Sequence, residues 1–174
     1  GRIILVLQQD GMVTVDMGRP VLSPPDIPFI SESFHAVYNL TLNDQQIVTL
    51  SAVSMGNPHG VIQVDDVDTA PVATWGSELE RHPSFPRRAN IGFMQVVSSE
   101  HIRLRVFERG AGETLACGTG ACAAVVAGQL RGLLAERVWV ELPGGRLQIE
   151  WLGQGHTVKM TGPTATVFSG EITL

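Results

Sequence analysis

The segment ERGAGETLACGTGACAA, from Glu108 to Ala124, holds both cysteines of the chain. Cys117 stands directly before Gly118-Thr119-Gly120 and an alanine-rich run that reads as a helix. The first turn of a helix leaves backbone N–H groups without partners and carries roughly half a positive charge. Glycines let that backbone approach a ligand closely, so a carboxylate can dock there. The same field predicts a thiol pKa below its ordinary value of about 8.5, and hence a larger thiolate fraction. One short turn could therefore hold a carboxylate beside a basic sulfur. A lone cysteine is more often inert packing. The glycines and the charged pair Glu108-Arg109 just upstream favour chemistry here.

Cys122 receives the opposite reading. It lies among Ala121, Ala123 and Ala124, where a small apolar residue suffices. Five helical residues give a rise of about 7.5 Å and a rotation of about 140° between the two cysteines. Neither an unstrained disulfide nor two bases flanking one carbon fits that separation.

Two further loops carry polar groups suited to recognition. In SMGNPHGV, Asn57 can donate its amide to a carboxylate, and His59 can orient or polarise an acid or base. A plain strand-breaking Asn-Pro turn is the simpler account of that loop. Asn90, in RRANIGFM, carries the same ambiguity. Arg109 offers a planar fork for a carboxylate, with a surface salt bridge as the plainer alternative. His35, His82, His101 and His156 show no metal-ligand spacing, so no metal is expected. GTGACA lacks the third glycine of a dinucleotide fingerprint.

The elements that must hold these residues are mostly strands. RIILVLQQ, Asp10-Gly11 and MVTVDMG predict a hairpin. A proline-rich link, PVLSPPDIPF, follows. HAVYNLTL, QIVTLSAVSM, GVIQVDD, ANIGFMQVVS and HIRLRVFE read as strands, with turns at Asn43-Asp44 and Ser99-Glu100. DVDTAPVATWGSELERH predicts a helix capped by Asp68 or Thr69, with Pro71 inside its first turn. TGACAAVVAGQLRG is apolar nearly all round, as a buried helix is, and Gly132 marks its left-handed end with Leu133 and Leu134 packing back. RVWVEL, RLQIEW, HTVKMTG and TATVFSGEITL return to strands. The fold class expected is α+β, with mixed and antiparallel β-structure wrapped around a central buried helix.

Composition narrows the function classes. The chain has 174 residues, 44% hydrophobic and 17% charged, with a net charge of −5. It can build a packed core, and it lacks the clustered basic surface that nucleic acid needs. No apolar run reaches the roughly 18 to 20 residues of a membrane span. Two close cysteines make a poor disulfide framework, so a reducing cytoplasm is the expected compartment. A first residue, Gly1, that leads straight into a strand-like run suggests a cut chain.

Taken together, SMGNPHGVIQVDDVDTA, RRANIGFMQVV, HIRLRVFERGAGETLACGTGACAA, VELPGGRLQIEW and MTGP resemble the C-terminal half of diaminopimelate epimerase. The resemblance implies a cofactor-independent isomerase that interconverts LL- and meso-diaminopimelate for lysine and peptidoglycan precursors, acting as a homodimer. It implies two lobes, each with a central helix, and one cysteine per lobe on opposite faces of the α-carbon. Cys117 matches the C-terminal-lobe cysteine; Glu108 and His59 match groups that assist the thiols. Gly118 and Thr119 match the donors to the α-carboxylate, with serine at the latter position in many relatives. Asn57, Asn90 and Glu108 match substrate-binding positions, and Arg109 matches the partner of the distal carboxylate. Under this resemblance residues 1–20 and 163–174 are strands of the N-terminal lobe, and 21–162 form the C-terminal lobe. The rest of the N-terminal lobe, with its cysteine, has no counterpart in the chain, which is then half a site and inactive alone. The alternatives are a proline-type racemase of the same fold and a catalytically silent binding or assembly domain. A cysteine hydrolase needs a base paired to Cys117, and His59 is the sole candidate.

Overall fold

The computed structural model describes residues 4–165 and 170–172. In chain order the elements are β1 (Leu5–Leu7), β2 (Val13–Asp16), a 3₁₀ turn (Pro24–Asp26), β3 (Tyr38–Thr41), β4 (Ile47–Ser54), β5 (Pro58–Gln63), α1 (Val72–Leu79), β6 (Asn90–Ser98), β7 (His101–Glu108), β8 (Gly112–Thr114), α2 (Gly118–Leu130), β9 (Arg137–Leu142), β10 (Gly145–Glu150) and β11 (Lys159–Gly162). The strands form one mixed sheet in the order β1-β2-β11-β10-β9-β7-β6-β5-β4-β3, with β8 paired to β7 beside that path. Two neighbouring pairs are parallel, β5 with β6 and β7 with β9. A parallel pair needs a long crossover. Here α1 lies within the first crossover and α2 within the second.

The helices sort the core into two parts. Along β4, Val48, Leu50 and Ala52 face one way and Val53 the other, as the period of two demands. The first set joins Ile91, Phe93, Val72, Leu79 and Phe85 under α1. The second joins Met94, Leu104, Val106, Val140, Ile149 and Trp151 around α2. Every residue of α2 from Gly120 to Gly128 is buried, so the all-round apolar helix is the central one and the sheet curls about it. Gly132 has φ of 71°, Leu133 N–H bonds the Gly128 carbonyl, and Leu134 fills the space over Gly128. The C-terminal stop is therefore the one the glycine predicts.

Two expectations need correction. Neither Asp68 nor Thr69 caps α1. The helix starts later, with Pro71 as its N-cap residue and no side-chain cap. The Asp68 carboxylate is instead taken in a two-pronged contact by Arg103, at 2.9 Å to each oxygen, and Thr69 bonds back to Asp66. A fork-to-fork ion pair outcompetes a single cap hydrogen bond. The short strand β8 is not among the strands read from the sequence; it folds back on β7 with Glu108 opposite Gly112. The tail strand expected over 164–174 falls largely outside the described residues.

Candidate active site

Three strands and a helix have termini at one end of the sheet. β5 begins at Pro58, β6 begins at Asn90, β7 ends at Glu108 and α2 begins at Gly118. The parallel register sets His59 opposite Asn90. The antiparallel register sets Ile91 opposite Phe107, so Asn90 meets Glu108 and Arg109 at the strand ends. Asn90 Oδ1 accepts the Arg109 backbone N–H at 2.8 Å. Gly56, with φ of 89°, makes the sharp turn that brings Asn57 to the same end.

Cys117 is the N-cap residue of α2, in extended backbone conformation, and is 6% exposed. A chain of side chains leads away from it. Its Sγ lies 3.7 Å from Thr119 Oγ1, which accepts from Asn57 Nδ2 at 3.5 Å, and His59 Nε2 donates to Asn57 Oδ1 at 3.1 Å. Since the Thr119 hydroxyl accepts from Asn57, its own proton is free to point at the sulfur. A Cβ added at Gly120 would sit 3.1 Å from the Cys117 sulfur, and one at Gly118 would sit 3.0 Å from Met160 Sδ. A side chain at Gly120 would press on the cysteine itself, whereas one at Gly118 meets only the flexible end of Met160; neither glycine has positive φ.

The thiol corrects the expectation of a lowered pKa. Burial pushes it above its ordinary value, and the Glu108 carboxylate pushes the same way. The Thr119 hydroxyl and the Gly120 N–H oppose this without reversing it. In this state Cys117 favours the protonated thiol, because losing water disfavours charge more than the helix terminus favours it. Glu108, at the end of β7, is held by the Thr114 hydroxyl from β8. Cys122 is fully buried, and burial followed by the nearby Cys117 pushes its thiol up to about 12. Both cysteines are free.

His59 is 1% exposed, and burial, assisted by the positive charge of Arg109, pushes its pKa down from 6.5 to about 3. It is a neutral hydrogen-bonding group at neutral pH. The sign of the linkage follows. Between pH 6.5 and 3 the unfolded chain binds a proton at His59 that the folded chain refuses, so stability falls as pH falls through that window. The slope is about 1.4 kcal/mol per pH unit. Denaturant unfolding at pH 7 and pH 5 should show wild type losing about 2 kcal/mol more than His59→Gln; equal losses would remove His59 as the cause.

Arg109 is exposed. Its Nη1 donates to the Arg87 carbonyl at 3.0 Å, and among the described residues its guanidinium meets no carboxylate. The surface salt bridge is therefore not its role within the described structure. Sequence reasoning missed three supports. Thr114 holds Glu108. Gly144 N–H bonds the Leu115 carbonyl at 2.7 Å and so ties the loop before Cys117 to the β9–β10 turn. Glu80, 2% exposed, bonds Gly110 N–H at 2.9 Å. A groove of about 890 Å³ lies over β1, β2, β9, β10 and β11, lined by Trp139, Gln148 and Lys159 among others. None of the candidate residues lines it, and their chemistry outweighs its size. The candidate site gathers a buried thiol at the α2 terminus, the Thr119–Asn57–His59 row and Glu108, with the exposed Arg109 following Glu108 at the end of β7.

Among solved structures, the fold matches a probable proline racemase from Agrobacterium radiobacter, with a TM-score of 0.66 at 13% identity, over 99% of this chain and 57% of that one. It also matches a hydroxyproline epimerase from Agrobacterium vitis, with a TM-score of 0.63 at 15% identity, over 92% of this chain and 53% of that one. The chain thus has the α+β architecture found in these racemase and epimerase structures. The family model for diaminopimelate epimerase matches residues 51–167, a span that contains every candidate site residue. The chain is 65% identical over 168 residues to diaminopimelate epimerase of Alkalilimnicola ehrlichii, covering 97% of this chain and 60% of that protein. It is 63% identical over 174 residues to that of an Azoarcus species, covering 100% of this chain and 62% of that protein. This chain belongs to the diaminopimelate epimerase family, and it spans about three fifths of the length of these relatives. No helix among the described residues is long and apolar enough to cross a membrane.

Proposed function

We propose that this chain is the Cys117-bearing half of an enzyme that inverts one stereocentre of diaminopimelate by thiol acid–base chemistry, without a cofactor. The observation that carries the proposal is the hydrogen-bonded row Cys117–Thr119–Asn57–His59 at the terminus of α2, with Glu108 and Arg109 at the adjoining strand end. Helix geometry leaves the Gly118 and Thr119 N–H groups free to bind the α-carboxylate. The amide of Asn57 and that of Asn90 grip polar groups of the substrate, and Arg109 takes the distal carboxylate. A relative acting on proline has no such second acid to bind, which favours diaminopimelate.

The proton accounting gives each group a task. Removal of the α-hydrogen as a proton leaves an electron pair that spreads onto the α-carboxylate, where the helix terminus stabilises the added charge. In one direction Cys117, protonated as its burial favours, donates to the α-carbon while a thiolate on the opposite face abstracts. In the reverse direction Cys117 must first lose its proton, and Glu108 is the adjacent base. His59, neutral, keeps its single ring proton on Nε2, donates it to Asn57 Oδ1 and so orients that amide, taking no part in the proton transfer. Two flanking thiols are needed, and Cys122, sealed in the core, is not the second. The partner thiol therefore belongs to an N-terminal lobe, which is this chain's functional partner, and the chain alone is inactive. Residues 21–162 form the Cys117 lobe, while 1–20 and 163–174 belong with the other. Exposed Ile4, Leu5, Val6 and Leu7 support that division as surface awaiting cover. The working enzyme is a cytoplasmic homodimer.

The test is epimerisation by the protein extended to the full length of its relatives. Chromatographic separation of the LL and meso forms should show interconversion without added pyridoxal phosphate, and no racemisation of proline. Racemisation of proline with diaminopimelate untouched would favour the smaller-substrate reading.

A further inference from the structure

Glu80 is buried at the end of α1, away from the thiol, yet it organises the loops that carry Arg109. Its Oε1 accepts the Gly110 N–H at 2.9 Å and lies 3.6 Å from Arg88 Nη1, while its Oε2 accepts from Arg81 Nε at 3.2 Å. Its main-chain carbonyl accepts Ala89 N–H at 3.1 Å. Arg81 aside, the residues it touches are immediate neighbours of Arg109 or of the residues that fix it. Gly110 follows Arg109. Arg88 follows Arg87, whose carbonyl anchors the Arg109 guanidinium at 3.0 Å, and Ala89 precedes Asn90, which holds the Arg109 backbone at 2.8 Å.

The local backbone needs such a hold. Arg88 has φ of 59° and Gly110 has φ of 77°. A non-glycine residue in the left-handed region is strained and persists only where its surroundings enforce it. The enforcing contacts are the Glu80 carboxylate on Arg88's side chain and the Phe85 carbonyl on its N–H, at 2.8 Å. A fully desolvated carboxylate must find donors. It accepts hydrogen bonds from Gly110 in the β7–β8 turn and from Arg81, and it pairs with Arg88 in the loop before β6, so it ties the turn to that loop.

We propose that Glu80 is a positioning residue that aims the Arg109 guanidinium, and thereby sets affinity for the substrate's distal carboxylate. This rests on the reading of Arg109 given above. In the protein extended to the full length of its relatives, Glu80→Gln should raise KM for diaminopimelate about tenfold and change kcat less than threefold. Combined with Arg109→Ala, it should alter kcat/KM by less than twofold further, since the group it aims is gone. A merely structural Glu80 lowers the unfolding midpoint and the active fraction but leaves KM in place. An unchanged KM, or a full additional loss in the Arg109→Ala background, overturns the proposal. Arg88→Gly relieves the strained backbone while removing one clamp, so it folds even if Glu80→Gln does not. It should raise KM about threefold, and an unchanged KM there also overturns the proposal. The guanidinium N–H resonances of Arg109 provide a reading independent of turnover. They should be ordered in wild type and broadened in Glu80→Gln, and identical spectra sink the inference. Absence of wild-type epimerisation would instead reject the functional reading, with those spectra still deciding the role of Glu80.

Discussion

In the protein extended to the full length of its relatives, Cys117→Ala should lower turnover of diaminopimelate by at least about 10³-fold, within the range that a single acid–base group supplies. The loss should fall on kcat rather than KM, because in the proposed site the α-carboxylate rests on the backbone of Gly118 and Thr119, which the substitution leaves in place. Folding should survive. The sulfur is a small group at the N-cap, with no side-chain capping hydrogen bond to lose. A cost near about 1 kcal/mol moves the unfolding midpoint by only a few degrees. Cys122→Ala is the control: it sits deeper in the same helix, and its removal should keep most of the activity. Equal losses at both positions would mean that the helix as a whole, and not the thiol at its terminus, is what the reaction needs.

The second large effect is expected at Arg109. Replacing it with Ala removes the charge-assisted contact proposed for the distal carboxylate. Hydrogen bonds to charged groups contribute about 1.5–3 kcal/mol, and each 1.36 kcal/mol is a factor of ten. A fall in kcat/KM of about 10- to 160-fold follows, carried mainly by KM. Arg109→Lys should recover little, since a point charge cannot reproduce the fork. The exposed position of Arg109 makes a folding defect an unconvincing explanation for such a loss, and steady-state kinetics with unfolding curves on the same samples separates the two. A KM within twofold of wild type would place the distal carboxylate elsewhere.

The parts of the molecule that could be read from the chain are those set by local rules. The hairpin at Asp10-Gly11, the alternation in β4 and β7, and the apolar α2 with its stop at Gly132 follow from side-chain period and backbone freedom. The juxtaposition of Asn57, Asn90, Arg109 and Cys117 does not, because it depends on which strands lie side by side, and motif resemblance alone drew them together. Two electrostatic facts stayed hidden for a related reason. The thiol's position at a helix terminus is local and argued for a lowered pKa, whereas the burial that raises it comes from the surrounding sheet. Glu80 lies in the predicted helix DVDTAPVATWGSELERH, and its charge does not by itself mark it as buried. Counting from Val72, however, Gly76, Leu79 and Glu80 fall at i+4, i+7 and i+8, the buried stripe of α1. That spacing was available as a signal. Asp68 misled in the opposite sense: its type suits a cap, and a distant arginine claimed it.

In the proposed reaction Cys117 serves one face of the α-carbon, and a thiol from outside these 174 residues serves the other. The direct test is proton nuclear magnetic resonance and chiral chromatography of diaminopimelate incubated in D₂O with the purified 174-residue chain, its mass verified, beside the full-length protein. Full-length protein should exchange the α-hydrogen and mix the epimers, while the 174-residue chain leaves the configuration untouched. Mixing of the epimers by the 174-residue chain alone would contradict the account.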